Sequence, residues 1–363
     1  MSTKPILYFV VQHFQSGGAE RVASILINAL QDRGYKIYLE TDVTKPFNYE
    51  INKRVELIPI YNLPTKSKIS KFIKIRRILQ RRAHILKYRP DVIISFLPSS
   101  FFESKIATLG IRVKHIASDH TAMDRDLGKW INYLRQHFYK YADKVTVLTQ
   151  KDQKLISNKL HNTEVVYNPL TFDTYSNIAD KKKIILCVGR IESSQVKGFD
   201  RILEIWGQIY KKYPEWSLKI AGTGDAKAIE FLEGIVLHYG LNPEDIFLGQ
   251  VKDIVYKYRE AAIFALSSRV EGFPMVLTEA MSQGCACITF DLNGASAEIL
   301  KDENSGLIIR DDDCDAFKAK LELLMKDEGL RNIISTNAYN NVSCFNTDSF
   351  ISKWETLISS VLC

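Results

Sequence analysis

The chain of 363 residues lacks the features that mark several common classes of protein. It has no apolar run of the roughly 18–20 residues that a membrane-spanning helix needs. No small-residue cleavage site follows its first apolar stretch, which we interpret as a β-strand and not as a signal peptide. Its six cysteines include no C-x-x-C pair. We therefore expect a reducing compartment, buried thiols at Cys187, Cys285 and Cys287, no disulfide framework and no zinc site.

Acidic residues are missing from one stretch. Between Lys66 and Arg89 there are ten Lys or Arg and no Asp or Glu, although the whole chain has a net charge of only +7. This stretch faces a negatively charged partner or forms a solvated helix face. The overall balance of 46% hydrophobic and 25% charged residues is typical of a folded globular protein.

Apolar segments of strand length alternate with amphipathic segments of helix length along the chain. This alternation predicts βαβ units with parallel sheets. A polar stretch at 171–183 separates two such series. We predict an N-terminal Rossmann-like domain over residues 1–168 and a C-terminal one over 183–346, with ligands bound in the cleft at the carboxyl ends of the strands.

Glycines and cations follow two of the predicted strands. Gly17 and Gly18 open a helix whose N-terminal N–H groups could hold an anion, although a tight turn alone explains them equally well. No G-x-G-x-x-G run with an acid about 20 residues further on is present, which disfavours a dehydrogenase. In the second domain, Arg190 ends a strand and Lys197 precedes the next helix. These two cations could neutralise a diphosphate, or they could be surface charges in a loop.

The segment EGFPMVLTE contains Glu271 in a turn and Glu279 inside the following helix. The backbone N–H groups where that helix opens can hold phosphate oxygens or hydroxyls. The carboxylates are suited to accept hydrogen bonds from sugar hydroxyls. A helix-start glutamate that favours the helix dipole explains Glu271 but not Glu279, which lies among apolar residues. The pattern indicates a nucleotide-sugar site that includes Gly272, Phe273, Pro274, Met275 and Val276.

The same segment resembles the E-x7-E signature of retaining GT-B glycosyltransferases of family 4. Other landmarks along nearly the whole chain agree in order and spacing: SGGAER, SDH at 118–120, YADKVTVLT, VVYNP, VGRIESSQVKGFDRILE, AGTGD and FLGQV. ISFLPS, SDH, YNP, VEGFPMVL and NGA followed by EIL more narrowly resemble transferases that add galactose or N-acetylgalactosamine to lipid-linked bacterial glycans. The resemblance implies a GT-B fold whose C-terminal helix, residues 347–363, packs back on the N-terminal domain.

The resemblance also implies roles for individual residues. Glu279 would bind the ribose, and Glu271 would bind the transferred sugar and stabilise an oxocarbenium ion. Arg190 and Lys197 would bind the diphosphate, and His120 would reach the donor sugar. Six residues separate Arg190 from Lys197, slightly more than in many relatives of this family. Gly17 and Gly18 would close over the diphosphate, and Gln250 and Val251 would lie beside the base. No metal or other cofactor is implied, and the run Asp311–Asp313 is interpreted as a solvated helix start.

The basic stretch is predicted to be a helix whose apolar face packs on the N-terminal sheet. We assign Ile69, Phe72, Ile73, Leu79, Ala83 and Leu86 to that face, and place Ile75, Ile78 and Ile85 off it. Apolar side chains interleaved with cations suit an anionic membrane surface. They could also hold the diphosphate of a polyprenyl-linked acceptor. The cations assigned to this contact are Lys74, Arg77, Arg81 and Arg82. Nucleic acid is possible on charge alone, but the predicted cleft chemistry argues against it.

These observations predict a peripheral enzyme on the cytoplasmic side of the membrane. It would transfer galactose or N-acetylgalactosamine, with retention, from a UDP-sugar to a polyprenyl diphosphate-linked saccharide. UDP-glucose, UDP-N-acetylglucosamine or GDP-mannose are alternative donors. A non-catalytic nucleotide-sugar-binding protein is the alternative from another functional class.

Overall fold

The computed structural model describes residues 4–15, 17–60, 70–175, 181–191, 194–292, 294–301 and 304–363. The chain forms two compact units. Unit 1 contains the residues up to Asn168 together with Asp348–Cys363, and unit 2 contains Pro169–Thr347. Each unit is built on a parallel sheet with helical connections, which confirms the predicted α/β class.

Unit 1 has a seven-stranded sheet in the order β3-β2-β1-β4-β5-β6-β7, and every pair of neighbours is parallel. Its strands are β1 Ile6–Val10, β2 Lys36–Asp42, β3 Glu56–Ile60, β4 Val92–Phe96, β5 Lys114–Ser118, β6 Lys144–Val147 and β7 Thr163–Val165. Its first helices are α1 Gly18–Asp32, α2 Ser70–Tyr88, α3 Pro98–Ala107, α4 Lys129–His137 and α5 Gln150–Ser157.

Unit 2 has a six-stranded parallel sheet in the order β10-β9-β8-β11-β12-β13. Its strands are β8 Lys182–Val188, β9 Ser217–Ala221, β10 Phe247–Gly249, β11 Ala261–Leu266, β12 Ala286–Phe290 and β13 Leu307–Ile309. Its helices are α6 Ser194–Lys197, α7 Phe199–Ile209, α8 Ala226–His238, α9 Pro243–Ile246, α10 Ile254–Glu260, α11 Met275–Ser282, α12 Ala295–Leu300, α13 Cys314–Lys326 and α14 Glu328–Val342.

The last helix, α15 (Thr347–Leu362), belongs to unit 1 apart from its first residue. Its Trp354 is buried, and Glu355 forms a 2.5 Å ion pair with Arg33 at the end of α1. A second ion pair joins Lys353 to Glu164 on β7. The chain therefore returns to its first domain through a helix with an apolar inner face and charged edges.

Two local features differ from the sequence-based expectation. The edge strand β7 was not predicted, because three residues carry too little periodicity to indicate a strand. The sequence over 127–141 predicts a single helix, but α4 ends at His137, and Tyr139–Tyr141 form a 3₁₀ turn. Tyr139 is buried in that turn and donates a hydrogen bond to Asp119, so tertiary contacts override the helical pattern.

The predicted buried face of the basic helix is wrong. Ile78 and Ile85 pack on the cluster of Tyr8, Tyr38 and Ile93, whereas Leu79 and Leu86 are exposed. Ala83 is also exposed, and Ile69 and the side chain of Phe72 lie outside the described residues. The reason is an ion pair. Arg81 is buried on the same face as Ile78 and Ile85, where it meets the buried Glu40 of β2.

The three cysteines predicted to be buried are buried: Cys187, Cys285 and Cys287. All six cysteines are free thiols, and burial raises the pKa of the Cys285 thiol. None of the described helices combines the length and the hydropathy that a membrane span requires.

Candidate active site

The candidate site lies where the strand order of unit 2 reverses. β8 and β11 are neighbours in the sheet, but the chain first runs from β8 to β9 and β10 on one side of β8 and then crosses to β11 on the other side. At such a point the loops after the two strands diverge and leave a crevice at the carboxyl edge of the sheet. The connection after β8 carries Arg190 and, at the end of α6, Lys197, and the loop after β11 carries Glu271.

Backbone contacts join these two loops. The Arg269 N–H donates to the Val196 carbonyl at 2.8 Å, and the Ser267 hydroxyl donates to the Lys197 carbonyl at 3.1 Å. Gly198 has a φ of +64°, and a Cβ at this position would lie 1.9 Å from the Ser267 carbonyl oxygen. Only glycine fits this close approach without moving the backbone. The two loops therefore form one unit despite their separation in sequence.

Lys197 and Glu271 form the central contact of the site. The Lys197 Nζ donates to Glu271 Oε1 at 2.7 Å, and the Ser268 hydroxyl donates to the same oxygen, also at 2.7 Å. Both side chains keep some exposure, with 25% for Lys197 and 14% for Glu271. A lysine has three donors and a carboxylate about four acceptor positions, so both can bind further groups. The sequence analysis missed Ser268 as a site residue. Its position just after a buried strand is the sequence feature that could have identified it.

The carboxyl edge continues from β8 across β9 to β10 through three glycines. The Gly189 N–H donates to the Ala221 carbonyl at 3.0 Å, and the Gly222 N–H to the Gly249 carbonyl at 2.9 Å. A Cβ on Gly222 would lie 1.8 Å from the Gly189 carbonyl oxygen. The absence of side chains leaves a shallow shelf along these strand ends. Arg190 is exposed at one end of it.

Gln250 and Val251 follow β10 at the other end of this shelf; Gln250 is exposed and Val251 is half-buried. β10 is two strands away from β8, which is roughly 10 Å at the usual strand spacing. The structure therefore spreads the predicted donor-binding residues of unit 2 along one sheet edge, and the base-binding role of Gln250 and Val251 stays a prediction.

The predicted EGFPMVLTE segment folds as a turn followed by α11. Phe273 is buried against Phe345, with their ring centroids 5.5 Å apart, and Met275 is also buried. These two side chains anchor the turn, while Gly272 and Val276 are half-buried. Pro274 stands at the N-cap position, where it has no side-chain acceptor for the first N–H groups of α11. Those N–H groups point out of the start of the helix, where they suit an oxygen-rich ligand.

Glu279 lies in the middle of α11 and is only 4% exposed. Its Oε1 accepts a 2.7 Å hydrogen bond from the Thr171 hydroxyl, and its Oε2 accepts a 2.9 Å bond from Tyr258. The sequence analysis missed both partners, which lie far from Glu279 in the chain. A buried carboxylate needs such donors because its desolvation is otherwise costly. The contacts are those of an anchored carboxylate, and the ribose-binding role of Glu279 stays a prediction.

In unit 1, His120 follows β5 and is half-buried. Its ring stacks on Phe96 at the end of β4, with centroids 4.9 Å apart, and its Nε2 lies 3.0 Å from the Ser118 hydroxyl. Burial lowers the pKa of His120 to about 4, although Asp119 and Asn168 oppose the shift. The imidazole is therefore neutral near pH 7, and it can exchange hydrogen bonds with hydroxyls without adding a charge.

Asp119 holds this strand end in place. It accepts hydrogen bonds from Arg135 Nε at 2.8 Å and from the Tyr139 hydroxyl at 2.8 Å, and all three side chains are buried. Thr121 also donates to Asp119, through its backbone N–H at 3.1 Å and its hydroxyl at 2.7 Å. The aspartate of the SDH run is thus a structural anchor beside His120.

Gly17 and Gly18 stand at the start of α1, but a carboxylate already occupies that region. The side chain of Glu20 lies so close that a Cβ on Gly17 would come within 2.1 Å of its Oε2. Glu20 Oε1 is also 3.6 Å from His13 Nδ1. An acid in the first turn favours the helix dipole and offsets the positive end that a diphosphate would use. The diphosphate contact of Gly17 and Gly18 stays a prediction.

The four cations assigned to the acceptor or membrane differ in their surroundings. Arg81 is buried against Glu40, with Nε 2.8 Å from Oε1, so its predicted acceptor or membrane role is wrong. Arg77 pairs with Glu103 of α3, and Arg82 donates to the carbonyls of Ala107 and Leu109 at 3.0 Å and 2.7 Å. Lys74 is exposed. Intramolecular acceptors therefore hold three of the four cations.

No group of three His, Cys, Asp or Glu side chains within the described ranges is arranged to hold a metal ion. In the Asp311–Asp313 run, Asp311 and Asp312 pair with Arg201. Asp313 accepts a 2.9 Å hydrogen bond from the Ala316 N–H and caps α13. Metal independence stays a prediction. A hollow of about 350 Å³ between α4 and α5 of unit 1 contains none of the predicted site residues.

Two family models match this chain in succession. Residues 16–173 match the model described as Glycosyltransferase Family 4, and residues 171–341 match the one described as Glycosyl transferases group 1. The two matches together span residues 16–341, which include all of the predicted donor-binding residues.

Similar proteins act in bacterial glycan synthesis. The amylovoran biosynthesis glycosyltransferase AmsD of Erwinia amylovora is 29% identical over 95% of this chain and 96% of its own. An α-1,4-N-acetyl-D-galactosaminyltransferase of Campylobacter jejuni is 27% identical over 97% of this chain and 98% of its own, and its name gives a diphosphate-undecaprenol-linked saccharide as acceptor. Among solved structures, sucrose-phosphate synthase of Thermosynechococcus elongatus superposes with a TM-score of 0.85 at 18% identity, over 99% of both chains. That likeness confirms the predicted GT-B fold.

Proposed function

Since this chain is a GT-B glycosyltransferase with matches to the family 4 and group 1 models, we propose that it transfers a hexose or N-acetylhexosamine, with retention, from a UDP-sugar to a polyprenyl diphosphate-linked saccharide. The preferred sugar is N-acetylgalactosamine or galactose. The observation that carries the proposal is the Lys197–Glu271 pair at the strand-order reversal of unit 2, which combines a cation for phosphate with a carboxylate for sugar hydroxyls.

In this proposal the donor lies along the carboxyl edge of the sheet of unit 2. Its diphosphate binds Arg190 and Lys197, and the first N–H groups of α11 bind its phosphate oxygens or sugar hydroxyls. Lys197 uses one of its three protons on Glu271 and has two left for diphosphate oxygens. Neutralising the leaving diphosphate lowers the barrier to breaking the sugar–phosphate bond.

Glu271 then accepts hydrogen bonds from the transferred sugar through the carboxylate oxygen that Lys197 and Ser268 leave available. As the bond to the diphosphate breaks, positive charge develops on the sugar ring, and a fixed carboxylate stabilises it. The released diphosphate oxygen takes the proton of the acceptor hydroxyl. This attack on the same face as the departing group keeps the configuration of the donor sugar.

The lipid-linked acceptor is proposed from the relatives in polysaccharide and lipid-linked glycan synthesis. Such an acceptor is held in a bilayer, so the enzyme would work as a peripheral protein on the inner face of the cell membrane. An anionic membrane surface is a partner in this proposal, with exposed Lys74 as the member of the predicted cationic set that can contact it.

The proposal is tested by measuring UDP release from a panel of UDP-sugars, with EDTA present, with and without a short polyprenyl diphosphate-linked saccharide. We expect release that depends on the acceptor, survives EDTA and is fastest with UDP-N-acetylgalactosamine or UDP-galactose. If nucleoside diphosphate were released fastest from another nucleotide sugar, such as GDP from GDP-mannose, that nucleotide sugar would be the donor instead. No release from any nucleotide sugar, with UDP still bound, would favour a non-catalytic binding protein. Proton NMR of the product would contradict retention if the anomeric configuration were inverted.

A further inference from the structure

Unit 1 carries a cluster of aromatic rings that the proposed chemistry does not use. Trp130 and Tyr133 of α4 stack with ring centroids 6.0 Å apart and an angle of 16° between their planes. Phe102 of α3 meets Trp130 edge-on at 5.5 Å and Phe138 at 4.8 Å. Tyr141 continues the series from Phe138 at 6.0 Å. We call these five residues the aromatic surface.

The aromatic surface is open to solvent. Trp130 is 52% exposed, Tyr133 48% and Tyr141 51%, while Phe102 and Phe138 are half-buried beneath them. Single exposed apolar residues are ordinary, but a contiguous patch of large rings on a globular protein marks an interaction site. Tryptophan and tyrosine are also the residues that concentrate at the headgroup level of bilayers, because each ring is apolar but carries one polar group.

The helices that carry or flank this surface lie on one face of the sheet. The connections β3–α2–β4, β4–α3–β5 and β5–α4–β6 all advance in the same direction through the strand order. Right-handed crossovers that advance in one direction place their helices on the same face of a sheet. The Arg77–Glu103 ion pair joins α2 to α3, and the Phe102–Trp130 contact joins α3 to α4.

The charge of these three helices has one sign. The sequences of α2, α3 and α4 contain a single acid, Glu103, which is buried and paired with Arg77. Exposed cations on them include Lys74, Arg76 and Lys129, and Lys140 lies over the Tyr141 ring. Two exposed acids precede α4. Asp124 pairs with Lys151, and Asp126 accepts a 2.8 Å hydrogen bond from the Gly128 N–H. The charges that these three helices expose are therefore cations, and Lys129 and Lys140 are the chain neighbours of Trp130 and Tyr141.

From these observations we infer that the aromatic surface docks on an anionic lipid bilayer, with Trp130, Tyr133 and Tyr141 inserted at the headgroup level and the surrounding cations over the lipid phosphates. This inference deepens the proposed function, because it names the surface through which the enzyme meets the membrane that carries its acceptor. It also moves the contact from the cations of α2, three of which are held within the protein, to α4 and the turn that follows it. A nucleic acid would use both the cations and the rings, because bases stack on aromatic side chains. The bilayer is preferred because the proposed acceptor is lipid-linked, as in the name of the Campylobacter relative.

Trp130 itself provides the test. The other three tryptophans, Trp206, Trp216 and Trp354, are buried, so fluorescence changes on vesicle addition report Trp130. The full chain is mixed with vesicles of equal parts phosphatidylglycerol and phosphatidylcholine, with and without bromine on the acyl chains. We expect co-sedimentation with the vesicles and quenching by the brominated lipid. Binding should weaken as salt rises and be weaker to phosphatidylcholine alone.

Three variants sharpen the test. Trp130→Ala combined with Tyr133→Ala should lower the vesicle partition constant at least about tenfold, since two large rings leave the interface. Trp130→Phe should keep the binding but lose the quenching. Tyr256→Ala removes a ring of unit 2 that is 60% exposed and should change neither. Thermal unfolding of each variant checks that it is folded.

The inference would be overturned if the unchanged chain failed to bind the anionic vesicles or bound them without quenching. Unchanged vesicle binding by the Trp130→Ala and Tyr133→Ala double variant would also overturn it. So would a dimer that depends on Trp130 in size-exclusion chromatography, since the surface would then serve a second copy. The vesicle assay contains no nucleotide sugar, so its result is independent of UDP release. Loss of turnover on a detergent-solubilised acceptor would count against the proposed function, not against the docking surface.

Discussion

Seven residues separate Glu271 from Glu279, and the two carboxylates have different surroundings. Glu271 is partly exposed and its hydrogen bonds to Lys197 and Ser268 both go to one oxygen. Glu279 is buried, and each of its oxygens has a donor, Thr171 or Tyr258. The free oxygen of Glu271 suits a carboxylate that binds the transferred sugar. The two internal donors of Glu279 suit a carboxylate that is already held in position before a ligand binds.

We predict that Glu271→Gln lowers kcat by roughly 100- to 1,000-fold, because the amide keeps the shape but removes the charge that stabilises the developing cation. The affinity for UDP should change little, since UDP lacks the transferred sugar. The measurement is steady-state UDP release together with calorimetric UDP binding. Ser268→Ala is the matched control, since it removes one hydrogen bond to the same oxygen and leaves the charge. An equal loss of activity in both variants would contradict the assigned role of Glu271.

A second prediction separates ribose binding from anchoring at Glu279. Glu279→Gln should raise the Kd for UDP roughly 10- to 100-fold, the effect of losing hydrogen bonds to a charged acceptor. Tyr258→Phe removes one internal donor and keeps the carboxylate, so it should lower the stability by about 1 kcal/mol and leave the Kd nearly unchanged. Calorimetry and thermal unfolding give both values. If both variants lose stability with the same Kd, Glu279 is an anchor only.

At the scale of one element, helix α2 shows how a charge can set the orientation of a helix. Arg81 donates to Glu40 Oε1 from Nε at 2.8 Å and from Nη2 at 2.5 Å, and the Tyr8 hydroxyl donates to Glu40 Oε2 at 2.7 Å. All three side chains are buried, and burial beside Glu40 raises the pKa of Tyr8. The helix therefore faces the sheet with Ile78, Arg81 and Ile85 and exposes Leu79.

We expect Arg81→Met to destabilise unit 1 by about 3–5 kcal/mol, because it leaves Glu40 buried without its charged partner. Arg76→Met on the same helix removes an exposed cation and should change the free energy of unfolding by no more than about 0.5 kcal/mol. Urea denaturation of both variants gives the comparison. Adding Glu40→Leu to Arg81→Met should recover most of the loss, since apolar replacements of a buried pair are often nearly neutral. Similar stability of the two single variants would contradict the structural role of Arg81.

At the scale of the whole molecule, two histidines with lowered pKa values couple folding to pH. Burial lowers the pKa of His115 to about 3, and the ring lies against Thr108, with Nε2 2.9 Å from the hydroxyl. Burial also lowers the pKa of His120 to about 4. Both pKa values lie below the unfolded value of about 6.5, so the unfolded chain binds more protons in acid. The stability they contribute is complete above pH 6.5 and declines as the pH falls toward 4.

The effect of His115 can be isolated. Between pH 7 and pH 5 its protonation in the unfolded state should cost unit 1 about 2 kcal/mol of stability. His115→Gln has no titration and should show a correspondingly smaller decrease over the same interval. Urea titrations at the two pH values give the difference. An identical pH dependence in the variant and in the unchanged chain would show that His115 is not the group responsible.

The alternation of strands and helices could be predicted because each element depends on the pattern of residues within a short stretch of sequence. β1 and β4 lie within strands predicted over 6–14 and 89–98, and β8 and β11 begin within two residues of strands predicted over 184–190 and 262–268. The division into two α/β series followed from the polar stretch near residue 171 for the same reason. β7 was missed because a three-residue edge strand is defined by its neighbour, β6, and not by its own residues.

The candidate site was predictable in its residue types but not in its pairs. Lys197 and Glu271 were each identified from position, after a strand and within a turn. Their 2.7 Å contact joins residues 74 positions apart in the chain, and the Thr171–Glu279 contact joins residues 108 apart. No local pattern encodes such a pair.

The sequence by itself determined the fold class, the turn and helix between Glu271 and Glu279, and the placing of Arg190 and Lys197 after a strand. These depend on periodicity, turn residues and charge in short stretches of sequence. The tertiary structure alone decided that Arg81 is buried against Glu40, that Ser268 and Lys197 share one oxygen of Glu271, and that the rings of α3 and α4 meet in one exposed cluster. The physical reason is that burial and hydrogen bonding are satisfied between elements. A charged side chain is therefore placed by its partner across the fold and not by its neighbours in the chain.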